Sequence, residues 1–329
     1  MTEQKFAFET GKVSIAFILR YGLGDCIIAK KVFDALTEIE PDCAIDIFYK
    51  EERHRAFAAT FYSDSRNLNI ILSQKDFYKK LVENYDLSLN VAGGHFTRVE
   101  YMNSRNLKEK SPALLGTVNK INKYNEQNFG KVLNSMRFIA LRNMLAAQIL
   151  HKNFFHFLSC DGVLPLREDK LCLSLLLKYK PEFDKLNLGN YITIYTNINE
   201  RHKEHPKIKT WSADYLVEYV TILKKHFPKI EIVQTGGEKD VKVKNADRHF
   251  LGVDLELTKY ILANSLLHVG CEGGLIHLAT QLGTKCVVIF GPTCLDYYGY
   301  SQNINLSAEV CNPCMFVLGN GGTRVCSHY

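Results

Sequence analysis

Several features that define common protein classes are missing from this chain of 329 residues. No apolar run approaches the roughly eighteen residues that a membrane-spanning helix needs. The N-terminal residues lack the charged segment, apolar segment and small-residue cleavage site of a signal peptide. No Gly-x-x-x-x-Gly-Lys-Ser/Thr motif is present, which excludes a P-loop, and no period indicates a repeat array. We therefore expect a cytoplasmic protein, with membrane association limited to peripheral contact at the inner face.

A large excess of one charge is also missing. Lys and Arg number 41 and Asp and Glu number 35, which gives a formal net charge of +6. This basic excess is too small and too dispersed to indicate nucleic-acid binding. It suits an anionic small molecule or an anionic membrane surface.

Apolar runs of strand length alternate with amphipathic helical stretches, which favours an α/β fold with parallel sheets. A hydrophobic content of 46% is ample for two cores. The two halves predict Rossmann-like domains at 1–170 and 171–329, with a ligand in a cleft between them. The predicted strands are Val13–Leu19, Ala44–Tyr49, Leu68–Leu72, Leu87–Val91, Tyr191–Asn197, Ile230–Gln234, Leu266–Val269 and Cys286–Phe290.

Two stretches of the first half deviate from this alternation. The polar, lysine-rich stretch Asn103–Asn128 predicts a long loop. The stretch Val132–Leu158 predicts one long helix with interleaved apolar and basic residues. A core-packed helix with a solvated basic side is favoured there over a helix that lies on a membrane surface.

The chain contains ten cysteines, scattered along its length. Those inside apolar runs, such as Cys43, Cys172 and Cys286, indicate reduced and buried thiols. The last three cysteines are spaced differently, as C-x-x-C followed by one more, and are Cys311, Cys314 and Cys326. With His328 as a fourth ligand this spacing permits a structural metal, and the alternative is a set of free thiols.

The most informative segment runs from Leu266 to Thr293. An apolar run meets the turn Glu272-Gly273-Gly274, a short amphipathic helix carries His277, and a second apolar run follows. Unpaired N–H groups and the dipole at such a helix N-terminus attract an anion, for which a phosphate or diphosphate is the natural ligand. The alternative is an ordinary βαβ unit whose glycines only form the turn.

A second glycine turn, Gly22-Leu23-Gly24-Asp25, lies between the first predicted strand and helix. It fails as a dinucleotide fingerprint because Ile27 occupies the third glycine position, which disfavours a nicotinamide dehydrogenase. The turn places Asp25 at a helix N-terminus. There the carboxylate either caps the helix or acts as a general base on a hydroxyl group.

Three further features of the second half suit a nucleotide ligand. Lys209 precedes a helix opened by Ser212 and can contact a phosphate, although Lys203 and Lys207 lie on the same loop. The turn Gly236-Gly237, with Glu238 beside it, either contacts a ribose or base or only connects two elements. Thr196, at the end of a predicted strand, is a further candidate for the donor site.

Together these motifs resemble those of glycosyltransferase family 9, the ADP-heptose:lipopolysaccharide heptosyltransferases and their relatives. The motifs are R-x-G-L-G-D at Arg20–Asp25, K-x-W-S at Lys209–Ser212, E-G-G-x-x-H-L-A at Glu272–Ala279, G-P-T at Gly291–Thr293 and C-x-P-C at Cys311–Cys314. They occur in the family's order in both halves. The resemblance is strongest from Lys209 to Cys314.

The resemblance implies a GT-B fold and an inverting, cofactor-free and metal-independent sugar transfer. The donor would be a nucleotide-diphosphate sugar such as ADP-heptose, and the acceptor a hydroxyl of a glycan, a lipid-linked sugar or a protein. Asp25 falls on the family's proposed catalytic aspartate and Lys209 on its diphosphate-binding lysine. His277 and the turn Glu272–Gly274 fall on the sugar-nucleotide loop.

This chain departs from the family at the sugar-nucleotide loop, which usually has Asp followed by Ser or Thr. Here Glu272 is one methylene longer and Gly273 lacks a hydroxyl, so we expect a differently shaped pocket for the donor sugar. Two alternatives follow from the same fold. One is a catalytically silent sugar-nucleotide-binding protein, and the other is a GT-B-type sugar-nucleotide epimerase.

Overall fold

The computed structural model describes residues 11–73, 84–92, 95–130, 135–196, 209–307 and 314. The chain forms two compact units, residues 1–140 with 154–167 and residues 141–153 with 168–329. Each unit contains one sheet. None of the helices within the described ranges is long and apolar enough to cross a membrane.

The first unit begins with strands and helices in alternation. These are β1 (Ser14–Leu19), α1 (Leu23–Ile39), β2 (Ala44–Tyr49), α2 (Glu52–Tyr62), β3 (Leu68–Ser73), β4 (Leu87–Ala92) and β5 (Phe96–Met102). The strand order is β3-β2-β1-β4-β5, parallel throughout except for the antiparallel pair β4 and β5. Every residue of the central strand β1 is buried, which agrees with the continuous apolar run from Ile15 to Leu19.

The prediction of a loop over Asn103–Asn128 is wrong, because this stretch forms α3 (Ser104–Lys110) and α4 (Pro112–Phe129). The side chain of Asn103 caps α3, and that of Ser111 caps α4 next to a proline at its first position. The buried residues follow a helical spacing on one face and are Leu107, Leu114, Val118, Ile121, Asn125 and Phe129. A helix that packs on one face and is solvated on the other needs only a few apolar side chains, so a polar sequence can still form it.

The single helix predicted over Val132–Leu158 is instead divided into α5 (Met136–Leu150) and α6 (Phe154–Leu158). The division falls at His151, whose φ of 52° ends the first helix. Helix α5 buries Ile139, Ala140, Met144 and Ala147 as expected of a core-packed helix. Its opposite side is not uniformly polar, since the apolar side chains Phe138, Leu145 and Ile149 are exposed there.

The second unit contains a six-stranded sheet in the order β11-β10-β9-β6-β7-β8, all parallel. After the short helix α7 (Lys180–Asp184), its elements are β6 (Tyr191–Tyr195), α8 (Ala213–His226), β7 (Glu231–Gly236), β8 (Arg248–Leu251), α9 (Leu255–Ala263), β9 (His268–Cys271), α10 (Gly274–Gln281), β10 (Cys286–Phe290), α11 (Leu295–Tyr298) and β11 (Ile304–Ser307). Ser212 caps α8 as predicted, since its hydroxyl accepts the N–H of Asp214.

Each predicted strand is present, with bounds that differ by a few residues. Strands β5, β8 and β11 were not predicted, and all three lie at the edge of a sheet. Edge strands are less buried, so their sequences lack a continuous apolar run. The prediction of buried, reduced thiols is confirmed for Cys43, Cys172 and Cys286, whose thiols are buried.

Candidate active site

The turn after β1 holds Asp25 in a defined position. Asp25 is the third residue of α1, and its Oδ2 accepts a hydrogen bond from the N–H of Gly22 at 2.9 Å. A Cβ atom on Gly22 would lie 3.2 Å from that oxygen, so glycine leaves room for the carboxylate. Gly24 is buried within the same turn. Asp25 therefore caps the helix, and its role as a base stays a prediction.

A histidine of α2 fixes the start of this turn. Tyr21 has a φ of 74°, and its carbonyl oxygen lies 2.6 Å from Nε2 of His54. Nδ1 of His54 accepts the N–H of Glu51 at 3.1 Å, so Nε2 carries a proton and donates to Tyr21. Because His54 is buried and both ring nitrogens are used, the position of the turn is tied to α2.

A second histidine, which the motif analysis did not select, lies beside Asp25. Nε2 of His95 is 3.2 Å from Oδ1 of Asp25. His95 follows β4, which pairs in parallel with β1, so the two chain segments leave the sheet at the same edge. The available signal was the sequence Gly93-Gly94-His95 directly after a predicted strand.

In the second unit, Lys209 and Glu272 form an ion pair. Nζ of Lys209 lies 2.8 Å from Oε2 of Glu272, and the two side chains are 25% and 6% exposed. The ammonium group also lies 5.8 Å from the ring centroid of Tyr298. Both predicted donor-site residues are thus brought together, across 63 residues of sequence.

The charge of Glu272 is stabilised by these neighbours. Burial by itself would raise the pKa of Glu272, but the positive charge of Lys209 and the nearby His277 outweigh it, so this pKa lies well below its usual range. The carboxylate is therefore ionised at neutral pH and holds the ammonium of Lys209 in place. An ammonium has three N–H donors, so contact with Glu272 leaves donors for another oxygen.

His277 connects this ion pair to the interior of the unit. Its Nε2 lies 3.7 Å from Oε1 of Glu272, and its Nδ1 lies 2.7 Å from the hydroxyl of Tyr300. Both His277 and Tyr300 are buried. His277 therefore lies between Glu272 and Tyr300 and helps to hold the carboxylate in place. Direct contact of its ring with a sugar-nucleotide donor stays a prediction.

The ion pair lies at the N-terminus of α10. Glu272 follows β9, Gly273 is the N-cap and α10 begins at Gly274, so the first-turn N–H groups point toward this end of the sheet. Strand β6 pairs with β9 in parallel, with Tyr195 opposite Gly270, which places Thr196 at the same edge. Thr196 is buried there. The ammonium of Lys209 and the first N–H groups of α10 thus lie at the carboxyl end of the same two strands, β6 and β9.

The turn Gly236-Gly237 is filled by a residue of the same loop. Oδ2 of Asp240 accepts the N–H of Gly237 at 2.8 Å, and a Cβ on Gly236 would lie 2.4 Å from that oxygen. Glu238 packs against Gly252 instead. This geometry agrees with a tight connection, and contact of Gly236, Gly237 or Glu238 with a nucleotide stays a prediction.

The metal hypothesis concerns residues that lie mostly outside the described ranges, namely Cys311, Cys326 and His328. Cys314 is described, and its N–H donates to the carbonyl oxygen of Pro292 at 3.0 Å. Among the described residues no group of three or more His, Cys, Asp or Glu side chains is arranged to hold a metal. The structural metal at the four predicted ligands stays a prediction.

The candidate residues thus form two groups, one in each unit. Asp25 and His95 belong to the first unit, and Lys209, Glu272 and His277 belong to the second. The first group offers an oriented carboxylate that can take a proton. The second offers a fixed cation beside helix N–H groups, which suits a phosphate.

Comparison with known proteins rests on structure, since no family model and no curated protein sequence matches the chain. A family 9 glycosyl transferase from Veillonella parvula DSM 2008 is similar, with a TM-score of 0.55, 13% identity, and coverage of 92% of this chain and 87% of that one. The E. coli ADP-heptose lps heptosyltransferase II has a TM-score of 0.54 and 13% identity, with 90% of each chain covered.

A third similar structure is the dodecameric, iron-containing heptosyltransferase TibC of enterotoxigenic E. coli H10407, solved in complex with ADP-D-β-D-heptose. Its TM-score is 0.55 at 11% identity, with 93% of this chain and 65% of that chain covered. These likenesses show the fold. The prediction of a GT-B fold with two Rossmann-like sheets, like that of family 9 glycosyltransferases, is confirmed.

Proposed function

We propose that this protein is an inverting, metal-independent glycosyltransferase that moves a sugar from a nucleotide-diphosphate sugar to a hydroxyl group. The observation that carries this proposal is the ion pair of Lys209 and Glu272 at the N-terminus of α10. A buried carboxylate fixes a lysine beside the first N–H groups of α10, and this combination complements a diphosphate.

In the proposed reaction, Asp25 takes the proton of the acceptor hydroxyl as that oxygen attacks C1 of the donor sugar. The bond between C1 and the diphosphate oxygen breaks, and its electron pair leaves with the nucleoside diphosphate. Lys209 and the amides of Gly273 and Gly274 stabilise the negative charge that grows on this leaving group. A preorganised donor of this kind contributes about 3–4 kcal/mol to transition-state stabilisation.

Two of the similar structures support the proposed donor class. E. coli heptosyltransferase II is named for ADP-heptose, and TibC was solved with ADP-D-β-D-heptose bound. ADP-heptose is therefore the first donor to test. The proposed acceptor is a hydroxyl of a cell-surface glycan, a lipid-linked sugar or a protein.

The test of the donor site is a comparison of ADP with adenosine as ligands. ADP should raise the melting temperature of the protein far more than adenosine does, because a ligand that binds only the folded state stabilises it. Lys209→Met should weaken ADP binding more than adenosine binding, as measured by calorimetry. Equal losses for both ligands would reject the diphosphate role.

The test of catalysis is incubation with ADP-heptose in the absence of an acceptor. A glycosyltransferase should release ADP slowly, because water can replace the acceptor hydroxyl. Binding without ADP release would favour the catalytically silent protein, and conversion of the donor to an isomeric nucleotide sugar would favour the epimerase.

We also propose that this protein makes peripheral contact with an anionic membrane through α5. Phe138, Leu145 and Ile149 are exposed on one side of this helix, and Phe138 and Ile149 are 61% and 76% exposed. No Asp or Glu occurs between residues 127 and 160, whereas basic residues do. Exposed apolar side chains in a basic segment favour binding to anionic lipids.

The membrane contact is tested by sedimentation with phosphatidylglycerol vesicles and with neutral phosphatidylcholine vesicles. Ile149→Ser with Leu145→Ser should release the protein from the anionic vesicles. The matched control is Phe227→Ser, which should leave binding unchanged. Phe227 follows the last residue of α8, and its side chain is 52% exposed. Equal binding to both kinds of vesicle, or no effect of the α5 changes, would contradict the proposal.

A further inference from the structure

His95, the residue directly before β5, occupies an unusual backbone conformation. Ala92 of β4 pairs with Phe96 of β5, so a connection of three residues joins the strands and His95 is its last residue. Its φ of 51° lies in the left-handed region, where residues other than glycine are uncommon. Such a conformation costs free energy and persists only where the surrounding structure enforces it. Conformations of this kind are found most often at functional sites.

The side chain of His95 is held as well as its backbone. It is 6% exposed, and its ring centroid lies 5.5 Å from that of Phe154 in α6. Its Nε2 faces Oδ1 of Asp25 at 3.2 Å. Because an ionised carboxylate only accepts hydrogen bonds, this contact requires a proton on Nε2, whose N–H donates the hydrogen bond to Asp25.

The carboxylate of Asp25 is therefore held at both oxygens. Gly22 N–H donates to Oδ2 and His95 Nε2–H donates to Oδ1. Two donors from different chain segments fix the plane of the carboxylate, which one backbone donor would leave free to rotate about the Cβ–Cγ bond. Asp25 is 35% exposed and is therefore accessible to a ligand, whereas the buried His95 is not accessible.

We propose that His95 is the positioning residue of Asp25: the β4–β5 hairpin holds an imidazole against the carboxylate and sets the direction from which Asp25 receives a proton. This inference rests on the proposed function, in which Asp25 is the base. His95 itself is too buried to contact the acceptor. The burial assigns proton uptake to Asp25 and orientation to His95.

Steady-state kinetics with ADP-heptose test this role, because loss of a positioning residue should lower kcat and leave KM unchanged. His95→Leu removes the donor and should lower kcat of ADP release by roughly ten- to a hundredfold, the range for a lost hydrogen bond to a charged group. KM for ADP-heptose should stay near its wild-type value, because Lys209 and Glu272 are untouched. His95→Gln keeps an N–H donor and should restore most of kcat.

Two further variants serve as controls for folding and for the position of the change. His95→Gly suits the left-handed backbone and should fold even if the leucine variant does not, with the same loss of kcat. His156→Leu removes an exposed histidine of α6 and should change neither constant. A wild-type kcat in both the leucine and glycine variants, or a gain in KM without a loss of kcat, would overturn the proposal.

A spectroscopic readout separates this inference from the proposed function. In histidine-labelled protein, the ¹⁵N shifts of His95 should show a protonated Nε2, and Asp25→Asn should move its proton resonance upfield because a neutral amide oxygen accepts more weakly. An unchanged resonance would overturn the positioning role whatever the enzyme does. If wild-type protein releases no ADP but the resonance moves, the proposed function fails and the contact stands.

Discussion

The two units each place an acidic side chain next to a histidine after a buried strand, but the two acids differ in their partners. Asp25 receives hydrogen bonds from a backbone N–H and an imidazole and is 35% exposed. Glu272 pairs with the ammonium of Lys209 and is 6% exposed. One carboxylate is oriented and accessible, whereas the other is buried and neutralised by a cation.

This difference indicates different roles for two similar side chains. A carboxylate that is partly exposed and met by N–H donors can exchange a proton with a ligand. A buried carboxylate in contact with a lysine serves to hold that lysine, because removing either partner leaves an uncompensated charge.

Asp25→Asn should lower the rate of sugar transfer or donor hydrolysis by roughly 10²- to 10⁴-fold, the usual contribution of a general base. ADP affinity should be nearly unchanged, because Lys209 and the amides of Gly273 and Gly274, the proposed diphosphate contacts, belong to the second unit. Turnover and calorimetric titration with ADP measure the two effects. Asp42→Asn, an exposed aspartate of the same unit, is the control, and unimpaired turnover of Asp25→Asn would reject Asp25 as the base.

Lys209→Met should destabilise the second unit as well as weaken ADP binding. Leaving Glu272 buried without its cation costs about 3 kcal/mol, the lower end for a broken buried pair, because Lys209 is partly exposed. Denaturant unfolding measures the loss. The control is Lys180→Met, since the Lys180–Asp184 pair is exposed and contributes little.

The double change Lys209→Met with Glu272→Met separates the two consequences. An apolar pair of similar volume should recover most of the lost stability, since buried ion pairs are often replaced without cost. ADP affinity should stay low, because no cation returns. Recovery of ADP binding in the double variant would contradict the proposed role of Lys209.

The stability due to Glu272 should depend on pH in the acidic range. Because the pKa of Glu272 is lower in the folded protein than in the unfolded chain, its stabilisation is complete above about pH 5 and is lost as the pH falls. Melting temperatures of wild type and Glu272→Gln should therefore differ at pH 7, and the difference should shrink as the pH falls from 5 to 3. A constant difference across this range would contradict the ion pair.

Tyr300→Phe should have the smallest effect. It removes the hydroxyl that contacts Nδ1 of His277 and should lower the free energy of unfolding by about 1–2 kcal/mol. ADP affinity should hold, because Lys209 and Glu272 keep their contact. Tyr215→Phe on the exposed side of α8 is the control, and a loss of ADP binding as large as that of Lys209→Met would show a direct role for this pair.

Local sequence predicted the buried strands and the two glycine turns well, because a strand buried on both faces needs a continuous apolar run. It failed for α3 and α4, where six buried side chains in a polar stretch define one face. It also missed the edge strands β5, β8 and β11, whose sequences are only partly apolar. The resemblance to family 9 supplied Asp25, Lys209, Glu272 and His277 as candidates, but it supplied neither the contacts between them nor His95.

The sequence by itself therefore determined the buried strands and the positions of the acids, the lysine and the glycine turns. Only the tertiary structure decided that His95 meets Asp25 and that Lys209 meets Glu272, across 70 and 63 residues respectively. Strand order brings β4 beside β1 and β9 beside β6. Hydrophobic periodicity is a local property, whereas the pairing of distant strands depends on how whole sheets assemble.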